Sequence, residues 1–375
     1  DRCVPKQTSE ETYMDSAEKQ SKPASIEEED ESCVYAMQLS LSHVLPMVLN
    51  AATELDLFDI IARSGPDAQI SASEIVSKLP TQNPDAPAML DRMLRLLGSY
   101  SLLSCSLHTL EDGSVDRRYG LSPAGKFFVQ TQDGPSLASV VSLANHPAPR
   151  EVRYNLKDAI LEGGNQFEKV HGMSIFQYMN IDPTLNKVFN RAMADISTSV
   201  MKKILEVYKG FEGLKSLVDV GGGIGMSLNM IISMYPSIKG INFDLPHVIQ
   251  SAPSYSGIEH VGGDMLVSIP KGDAIMIKSA CHNWSDGHCV KILNNCYEAL
   301  PENGKAIIVD IVMPLVPESS NAAKYGTQLD NLMLLEPGGK ERTEKDFEAL
   351  CKASKFSNLQ IVCRAYALSV IEFYK

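Results

Sequence analysis

The second half of the chain alternates short apolar stretches with longer stretches that have helical spacing. Leu214 to Val220 is short, apolar and rich in strand-forming residues, and it continues through a glycine cluster into an apolar helical stretch from Met226 to Tyr235. A strand, a tight turn and a helix in this order predict an α/β fold with a Rossmann-like sheet. Further strands or strand edges are predicted at Ile241–Asp244, His260–Met265, Asp273–Lys278, Gly304–Pro314, Gln360–Arg364 and Leu368–Tyr374, the last two as a terminal hairpin.

The first half of the chain has mainly helical spacing, with apolar residues recurring at helical intervals from Cys33 to Arg63. Because this helix is apolar over much of its circumference, it needs a partner. The partner could be the rest of a small domain in the same subunit or a second copy of the chain, and we predict a homodimer through this region. Three helices and a β-ribbon are typical of a winged-helix domain. The other predicted elements are a helix opened by a capping box at Ser71 and ending at Leu79, a helix at Ala86–Tyr100, and strands at Leu102–Leu110 and Arg117–Leu121.

These patterns divide the chain into three parts. Residues 1–32 are polar and include an acidic run from Glu27 to Glu31, so they are predicted to form a disordered acidic tail. Residues 33–135 are predicted to be the mostly helical winged-helix dimerisation domain. Residues 136–375 are predicted to be the α/β domain, which begins with a helical connector at 136–205. The connector carries an apolar stripe that could form a wall of an acceptor pocket or be ordinary core.

Composition narrows the classes of function. The chain has 375 residues, of which 44% are apolar, and a formal net charge of −12. The charge disfavours nucleic acid and anionic membranes as partners. No run of about 18 apolar residues and no secretory pattern is present, so we expect a cytoplasmic protein. A winged-helix regulator of transcription is disfavoured because acidic residues surround the arginines of that domain.

The eight cysteines show no C-x-x-C pairing, which predicts free thiols. Cys281-His282 and His288-Cys289 mirror each other and raise a zinc hypothesis. Their spacing is not typical of a structural zinc site, so no metal is predicted.

The glycine cluster predicts a binding site for a nucleotide-like cofactor, because Gly221, Gly223 and Gly225 allow a sharp turn and a close approach of the ligand. The dinucleotide fingerprint would need a third small residue where Met226 stands. Asp219, at the end of the strand, would repel a phosphate but suits an amino or hydroxyl group. S-adenosylmethionine has both groups and no phosphate, and it is therefore the predicted cofactor.

The residues downstream agree with this cofactor. Asp244 ends the next strand about 20 residues after the glycines, where a carboxylate meets ribose hydroxyls in doubly wound folds. Asp264 could accept from the adenine amino group, and Met265 could cover the ring. His282 follows the next strand, at the carboxyl edge where open α/β sheets place their chemistry.

Five motifs occur in order: Asp219-Val-Gly-Gly-Gly-Ile-Gly225, Asn242-Phe-Asp-Leu-Pro-His-Val248, Gly263-Asp-Met265, Cys281-His-Asn-Trp-Ser-Asp286 and Gly338-Gly-Lys-Glu-Arg-Thr343. With these motifs the chain resembles the plant small-molecule O-methyltransferases of the caffeic acid type, from about Tyr35 to Lys375. The resemblance implies a homodimer with a C-terminal S-adenosylmethionine domain. It implies His282 as the general base, with carboxylate partners at Asp310 and Glu341. It implies cofactor contacts at Gly221, Asp244, Asp264, Met265 and Lys278, to which Asp219, Gly223 and Leu245 are added.

The chain departs from the family pattern near the acceptor. Asn283 replaces the usual aspartate, Asp310 replaces the usual glutamate, and Leu335-Glu336-Pro337 replaces a His-Asn-Pro segment. The predicted acceptor residues are Leu143, Ile175, Met179, Leu185, Phe189, Met193, Ile196, Asn283, Leu332 and Met333.

Met179 and Ile196 are often histidines in the caffeic acid enzymes, so this pocket is predicted to be more apolar. That change favours a bulkier phenolic acceptor, such as a lignan, flavonoid or coumarin, over a free hydroxycinnamic acid. N-methylation of an aromatic amine and a catalytically impaired homologue remain as alternatives.

Overall fold

The computed structural model describes residues 26–130 and 134–375. The chain divides into two compact units, one that ends at Leu49 and one from Asn50 to Lys375. This division gives no boundary near residues 135 and 136, so the domain limits expected from the sequence stay a prediction.

The first unit contains helix α1, Ile26–Ser40, and the start of α2, Val44–Glu54. The prediction of a disordered tail over residues 1–32 is therefore wrong for 26–32, and residues 1–25 lie outside the described residues. Acids in the first turn, such as Glu28 and Glu29, favour a helix N-terminus because they complement its dipole. Apolar side chains along this unit are exposed: Val34, Tyr35, Met37, Leu39, Leu41 and Met47.

The single helical stretch predicted from Cys33 to Arg63 is instead three helices, because α2 is followed by α3, Leu57–Arg63. Pro46 lies in the first turn of α2, where a missing backbone N–H is tolerated. In the interior of one continuous helix the same proline would remove a hydrogen bond and break the helix. Asp56 has a left-handed backbone with φ of 51°, which separates α2 from α3.

Within the described residues, no single helix is long and apolar enough to cross a membrane. The bent pair Glu28–Ser40 and Val44–Glu54 meets the length and composition requirement only when its two helices are counted together.

After α3, the second unit contains a small antiparallel sheet with its helices. The capping box predicted at Ser71 is confirmed, because Ser71 Oγ accepts from Glu74 N and the Glu74 side chain accepts from Ser71 N. The predicted hairpin is confirmed as well, with Leu103 paired to Leu121. The sheet order is β1-β3-β2. The elements are β1 Ile70–Ser71, α4 Ala72–Val76, α5 Ala86–Ser99, β2 Leu103–Thr109, β3 Val115–Leu121 and a 3₁₀ turn at Gly125–Phe128.

Residues 138–207 are mostly helical, as the sequence predicts. The long helix α11 begins after Asp182, whose Oδ1 accepts from Thr184 N and Leu185 N at 3.0 and 3.1 Å. The helices are α6 Ala138–Asn145, α7 Pro147–Val152, α8 Leu156–Glu162, α9 Gln166–His171, α10 Ile175–Tyr178 and α11 Pro183–Val207, with a 3₁₀ turn at Arg153–Asn155.

The α/β part is built on one large mixed sheet of order β10-β11-β8-β7-β4-β5-β6, with β9 paired to the end of β8. Strands β4 to β8 run parallel, and β11 and β10 form the predicted antiparallel hairpin at the edge. The strands are β4 Ser216–Val220, β5 Lys239–Asp244, β6 Ile258–Gly262, β7 Ala274–Lys278, β8 Lys305–Met313, β9 Arg342–Thr343, β10 Asn358–Ala365 and β11 Leu368–Tyr374. The helices between them are α12 Met226–Met234, α13 Pro246–Ile249, α14 Asp286–Ala299, α15 Asn321–Leu335 and α16 Glu344–Ala353, with a 3₁₀ turn at Cys281–Asn283.

The strand order places the site. From β4 the chain first adds β5 and β6 on one side and then returns to add β7 and β8 on the other. The carboxyl ends of β4 and β7 therefore flank a topological switch point, where open α/β sheets bind their ligands. Apolar side chains pack on both faces of the sheet and hold in place the strands that end at this edge.

Candidate active site

The turn after β4 has the backbone geometry that its glycines allow. Gly221, Gly223 and Gly225 have positive φ of 69, 59 and 86°. Gly221 N donates to Phe243 O at 2.9 Å, which ties the turn to β5. A Cβ at Gly222 would lie 2.1 Å from Asn242 Oδ1, so no side chain fits there.

Asp244 accepts from this turn at the end of β5. Its Oδ2 accepts from Gly223 N and its Oδ1 from Leu245 N, both at 2.7 Å. Burial raises the pKa of Asp244, and these backbone hydrogen bonds oppose the rise. The carboxylate is thus in contact with the predicted cofactor turn.

Asn242 supports the same turn and was missed by the sequence reasoning. It is fully buried, and its Nδ2 donates to Gly223 O at 2.9 Å and lies 3.1 Å from His260 Nδ1. Because side chains alternate along a strand, Asn242 lies on the same face of β5 as Asp244. Its position two residues before the predicted ribose-binding Asp244 could therefore have identified it.

Asp219 and Lys278 bring buried charge to the ends of β4 and β7. Asp219 is 1% exposed, its Oδ2 has no hydrogen-bond partner among the described residues, and burial raises its pKa to about 7 against the opposing charge of Lys278. Burial lowers the pKa of Lys278, while the charges of Asp219 and Asp310 oppose that fall. Lys278 Nζ donates to Ser197 Oγ at 2.8 Å. Ser197, next to the predicted Ile196 on α11, was also missed.

His282 pairs with Glu341 beside this cluster. The His282 Nδ1 lies 2.7 Å from Glu341 Oε1, and Glu341 N donates to Asp330 Oδ1 at 2.8 Å. Burial lowers the pKa of His282, but the hydrogen bond to Glu341 and the charges of Asp310 and Glu341 outweigh it, so the pKa is raised overall. The second carboxylate oxygen of Glu341 has no partner within the described chain.

Asp310 lies in β8 near the same histidine. It is 2% exposed, and neither carboxylate oxygen has a hydrogen-bond partner in the described part of the chain. Burial raises its pKa to about 7, and the charge of His282 opposes that rise. Asp310 therefore acts on His282 through charge rather than through a direct hydrogen bond.

A cavity of about 610 Å³ opens along this edge. All eight predicted cofactor residues line it, together with five of the predicted acceptor residues: Met179, Phe189, Met193, Ile196 and Asn283. Lining residues that the sequence reasoning missed include Phe176 and Trp284, whose rings stack with centroids 6.1 Å apart.

The other predicted site residues do not line this cavity. His282, Asp310 and Glu341 lie outside its wall, although Lys278 and Asn283 on either side of His282 are part of it. Leu143, Ile175 and Leu185 pack in an apolar cluster with Met179 and Phe189. Leu332 and Met333 lie on α15, and Met333 O accepts from Gly338 N at 2.8 Å. Each of these roles stays a prediction.

The cysteines of the mirrored pair are both buried. Cys289 Sγ donates to Cys281 O at 3.2 Å. Within residues 26–130 and 134–375, no group of three or more His, Cys, Asp and Glu side chains is arranged to hold a metal.

Two family models match the chain. One, described as the O-methyltransferase domain, matches residues 153–357, and the other, the O-methyltransferase dimerisation domain, matches residues 37–131. The chain belongs to the O-methyltransferase family. It is thus an O-methyltransferase with an N-terminal dimerisation domain, as the five motifs led us to expect.

Curated members of this O-methyltransferase family align over nearly the whole chain. The caffeic acid 3-O-methyltransferase of Capsicum chinense is 58% identical over 92% of this chain and 97% of its own. The enzyme of the same name from Catharanthus roseus is 54% identical over 96% of this chain and 100% of its own.

A solved structure shares the fold at lower identity. Human N-acetylserotonin methyltransferase, whose structure is described as a complex with SAM, superposes with a TM-score of 0.78 over 92% of this chain and 97% of its own, at 19% identity.

We predict that Glu341→Gln lowers the pKa of His282, because the variant loses the negative charge and weakens the hydrogen bond that raise it. NMR titration of the imidazole measures this. Since the folded pKa of His282 is raised, its contribution to stability is fully present below the unfolded value of about 6.5 and is lost as pH rises through the folded value. The free energy of unfolding should therefore differ more between wild type and variant at pH 6 than at pH 9.

The matched control is Glu344→Gln, an exposed glutamate in the first turn of α16. It should leave the titration of His282 unchanged. An unaltered His282 titration in Glu341→Gln would contradict the assigned pair.

Proposed function

We propose that this protein transfers a methyl group from S-adenosylmethionine to a phenolic hydroxyl of a plant specialised metabolite, with His282 as the general base. The observation that carries the proposal is the 2.7 Å contact between His282 Nδ1 and Glu341 Oε1, placed beside a cavity at the carboxyl edge of the sheet. Membership of the O-methyltransferase family supports the reaction class.

The residues present fit S-adenosylmethionine. Gly223 has open space where a Cβ would stand. The Asp219 oxygen that has no hydrogen-bond partner in the described part of the chain suits a donor or a cation rather than a phosphate. Asp244 would take the ribose hydroxyls, Asp264 and Met265 the adenine, and Lys278 the carboxylate end, with Leu245 at the same wall. When bound, this cofactor supplies an activated methyl group on a sulfonium centre.

The chain then has to align and deprotonate the acceptor. A phenol of pKa about 10 is a poor nucleophile until its proton is withdrawn, and neutral imidazole suits that task near neutral pH. Glu341 engages His282 Nδ1, which leaves Nε2 as the atom that accepts the phenolic proton. The charges of Asp310 and Glu341 stabilise the resulting imidazolium. The apolar wall of α11 excludes water and holds the acceptor in line with the methyl group.

The acceptor wall favours a large apolar phenolic. Met179, Phe189, Met193 and Ile196 line the cavity, and Asn283 is the amide next to the base. Caffeic acid is the acceptor that the relatives' names give. We propose a lignan, flavonoid or coumarin as the preferred substrate class, because these four lining side chains are apolar and would contact an extended aromatic acceptor rather than a free carboxylate.

We also propose a homodimer that covers the exposed apolar side chains of α1 and of Leu41, the residue that follows it. The match to the dimerisation domain supports it, and Met37 and Leu41 are each 63% exposed. Exposed apolar groups of this size are typical of protein interfaces.

Methyl transfer is tested with purified protein, S-adenosylmethionine and a panel of caffeate, lignans, flavonoids, coumarins and aryl amines, read by mass. We expect methylation of a phenol on oxygen, and His282→Ala should lower kcat by roughly a hundredfold or more, the usual contribution of a positioned base. His108→Ala, exposed on β2, is the control.

Three results would contradict parts of this proposal. A strong preference for caffeate would contradict the proposed class of bulky acceptors. A product methylated on nitrogen would show that the protein is an N-methyltransferase. A His282→Ala variant with near wild-type kcat would show that His282 is not the general base.

Cofactor binding is tested separately by calorimetry with S-adenosylmethionine. Asp244→Asn should weaken binding roughly 10- to 100-fold, the worth of a charged hydrogen bond to the ligand. Asp273→Asn is a matched control, because Asp273 also accepts from two backbone N–H groups, those of Lys215 and Ser216, at the opposite end of the sheet. Equal affinities in the two variants would show that Asp244 does not contact the cofactor.

The dimer is tested by sedimentation. The double variant Met37→Glu and Leu41→Glu should raise the dissociation constant at least about tenfold, because it places charge in an apolar contact. Ser32→Glu adds charge at a polar position of α1 and should have little effect. A monomeric wild type at micromolar concentration would remove the homodimer.

A further inference from the structure

Arg342 is the side chain that joins the two segments carrying His282 and Glu341. It follows Glu341 directly and is 1% exposed. Its guanidinium donates to four acceptors: Nη1 to Cys281 O at 2.8 Å and Lys340 O at 3.4 Å, Nη2 to Trp284 O at 2.8 Å and Asp286 Oδ1 at 2.9 Å, and Nε to Asp286 Oδ1 at 3.0 Å.

Three of these acceptors bracket His282. Cys281 O lies just before the histidine, Trp284 O lies two residues after it, and Asp286 begins α14. One planar guanidinium therefore holds the backbone of the histidine turn on both sides. A lysine cannot reproduce this, since it presents a single ammonium instead of a rigid fork.

The same two segments touch along their backbones. Lys340 N donates to His282 O at 2.9 Å, and Lys340 Nζ reaches Asp286 Oδ2 at 2.8 Å. A Cβ at Gly339 would lie 1.9 Å from His282 O, so the chains approach as closely as glycine permits. Within the turn itself, the backbone bonds are Asn283 N to Ala280 O and Trp284 N to Cys281 O, at 3.1 and 3.2 Å.

We infer that Arg342 is a positioning residue for methyl transfer, which fixes the His282 turn so that the imidazole meets Glu341 and faces the acceptor. The inference rests on the proposed function of His282 as the base. Arg342 itself does not contact the reacting atoms. Its effect is geometric, and misplacing a reacting group by about 1 Å can cost a hundredfold in rate.

The test is Arg342→Lys, which keeps the charge and removes the fork. We expect kcat to fall roughly 10- to 100-fold while the affinity for S-adenosylmethionine stays within about twofold, because the cofactor residues lie on other segments. We also expect the acid limb of the pH profile of kcat/KM to move to lower pH, because a loosened pair no longer raises the pKa of His282. Arg342→Ala with millimolar guanidinium should recover part of the lost kcat, and urea should not.

Tyr208→Phe is the control for lost stability. It removes a buried hydrogen bond to Glu372, away from the histidine turn. It should lower the melting temperature without moving the pH profile. If Arg342→Lys folds and shows the same behaviour as Tyr208→Phe, with an unmoved profile, Arg342 is structural only and the inference is wrong.

NMR titration of His282 separates this inference from the proposed function. If wild type methylates none of the panel, the proposed function fails, but Arg342→Lys should still lower the pKa of His282, with His282→Ala used to assign the signal. An unchanged His282 pKa in folded Arg342→Lys overturns the inference whether or not the protein is active.

Discussion

Burial of charge at the carboxyl edge of the sheet is the constraint on which the site depends. Asp219, Lys278, Asp310 and His282 are held where water is largely excluded, and removing ions from water costs several kcal/mol each unless they are compensated. The unfavourable burial of each charge is offset mainly by the opposite charges of the other residues in this group. Lys278 opposes the rise in the pKa of both aspartates, and Asp310 supports the charged form of His282. We therefore expect a change of charge at one member to alter the pKa values of the others.

Asp219, Lys278 and Asp310 lie on strands β4, β7 and β8, whereas His282 and the glycines that face the cofactor lie on turns whose backbone needs further support. Two buried polar side chains hold the backbone of these turns in place. Asn242 ties the glycine turn to β5 through Gly223 O, and Arg342 ties the histidine turn to the segment of Glu341. The apolar layers on both faces of the sheet hold the strands from which these turns emerge.

The sequence predicted the parts of this molecule that depend on local pattern. The strands around the glycine turn, the capping box at Ser71 and the terminal hairpin could be found because periodicity and turn residues act over a few positions. The tail boundary was wrong because helix α1 begins at Ile26, directly before the acidic run, and acids in the first turn favour a helix start.

Side-chain partnerships across long sequence separations could not be predicted in this way. Ser197 meets Lys278 across 81 positions, and Arg342 reaches Cys281 across 61. Leu143, Ile175 and Leu185 were expected in the pocket, but an apolar residue on a helix gives no signal of whether it lines a cavity or packs behind it.

The antiparallel hairpin at the sheet edge has a consequence for synthesis on the ribosome. Strand β8, which carries Asp310, pairs with β7 on one side and with β11 on the other, and Asp310 lies opposite Ser369. Until Leu368–Tyr374 has left the exit tunnel, one edge of β8 has no strand to pair with. A partly synthesised sheet would therefore expose an apolar edge of the kind that invites aggregation until β11 can pair with β8.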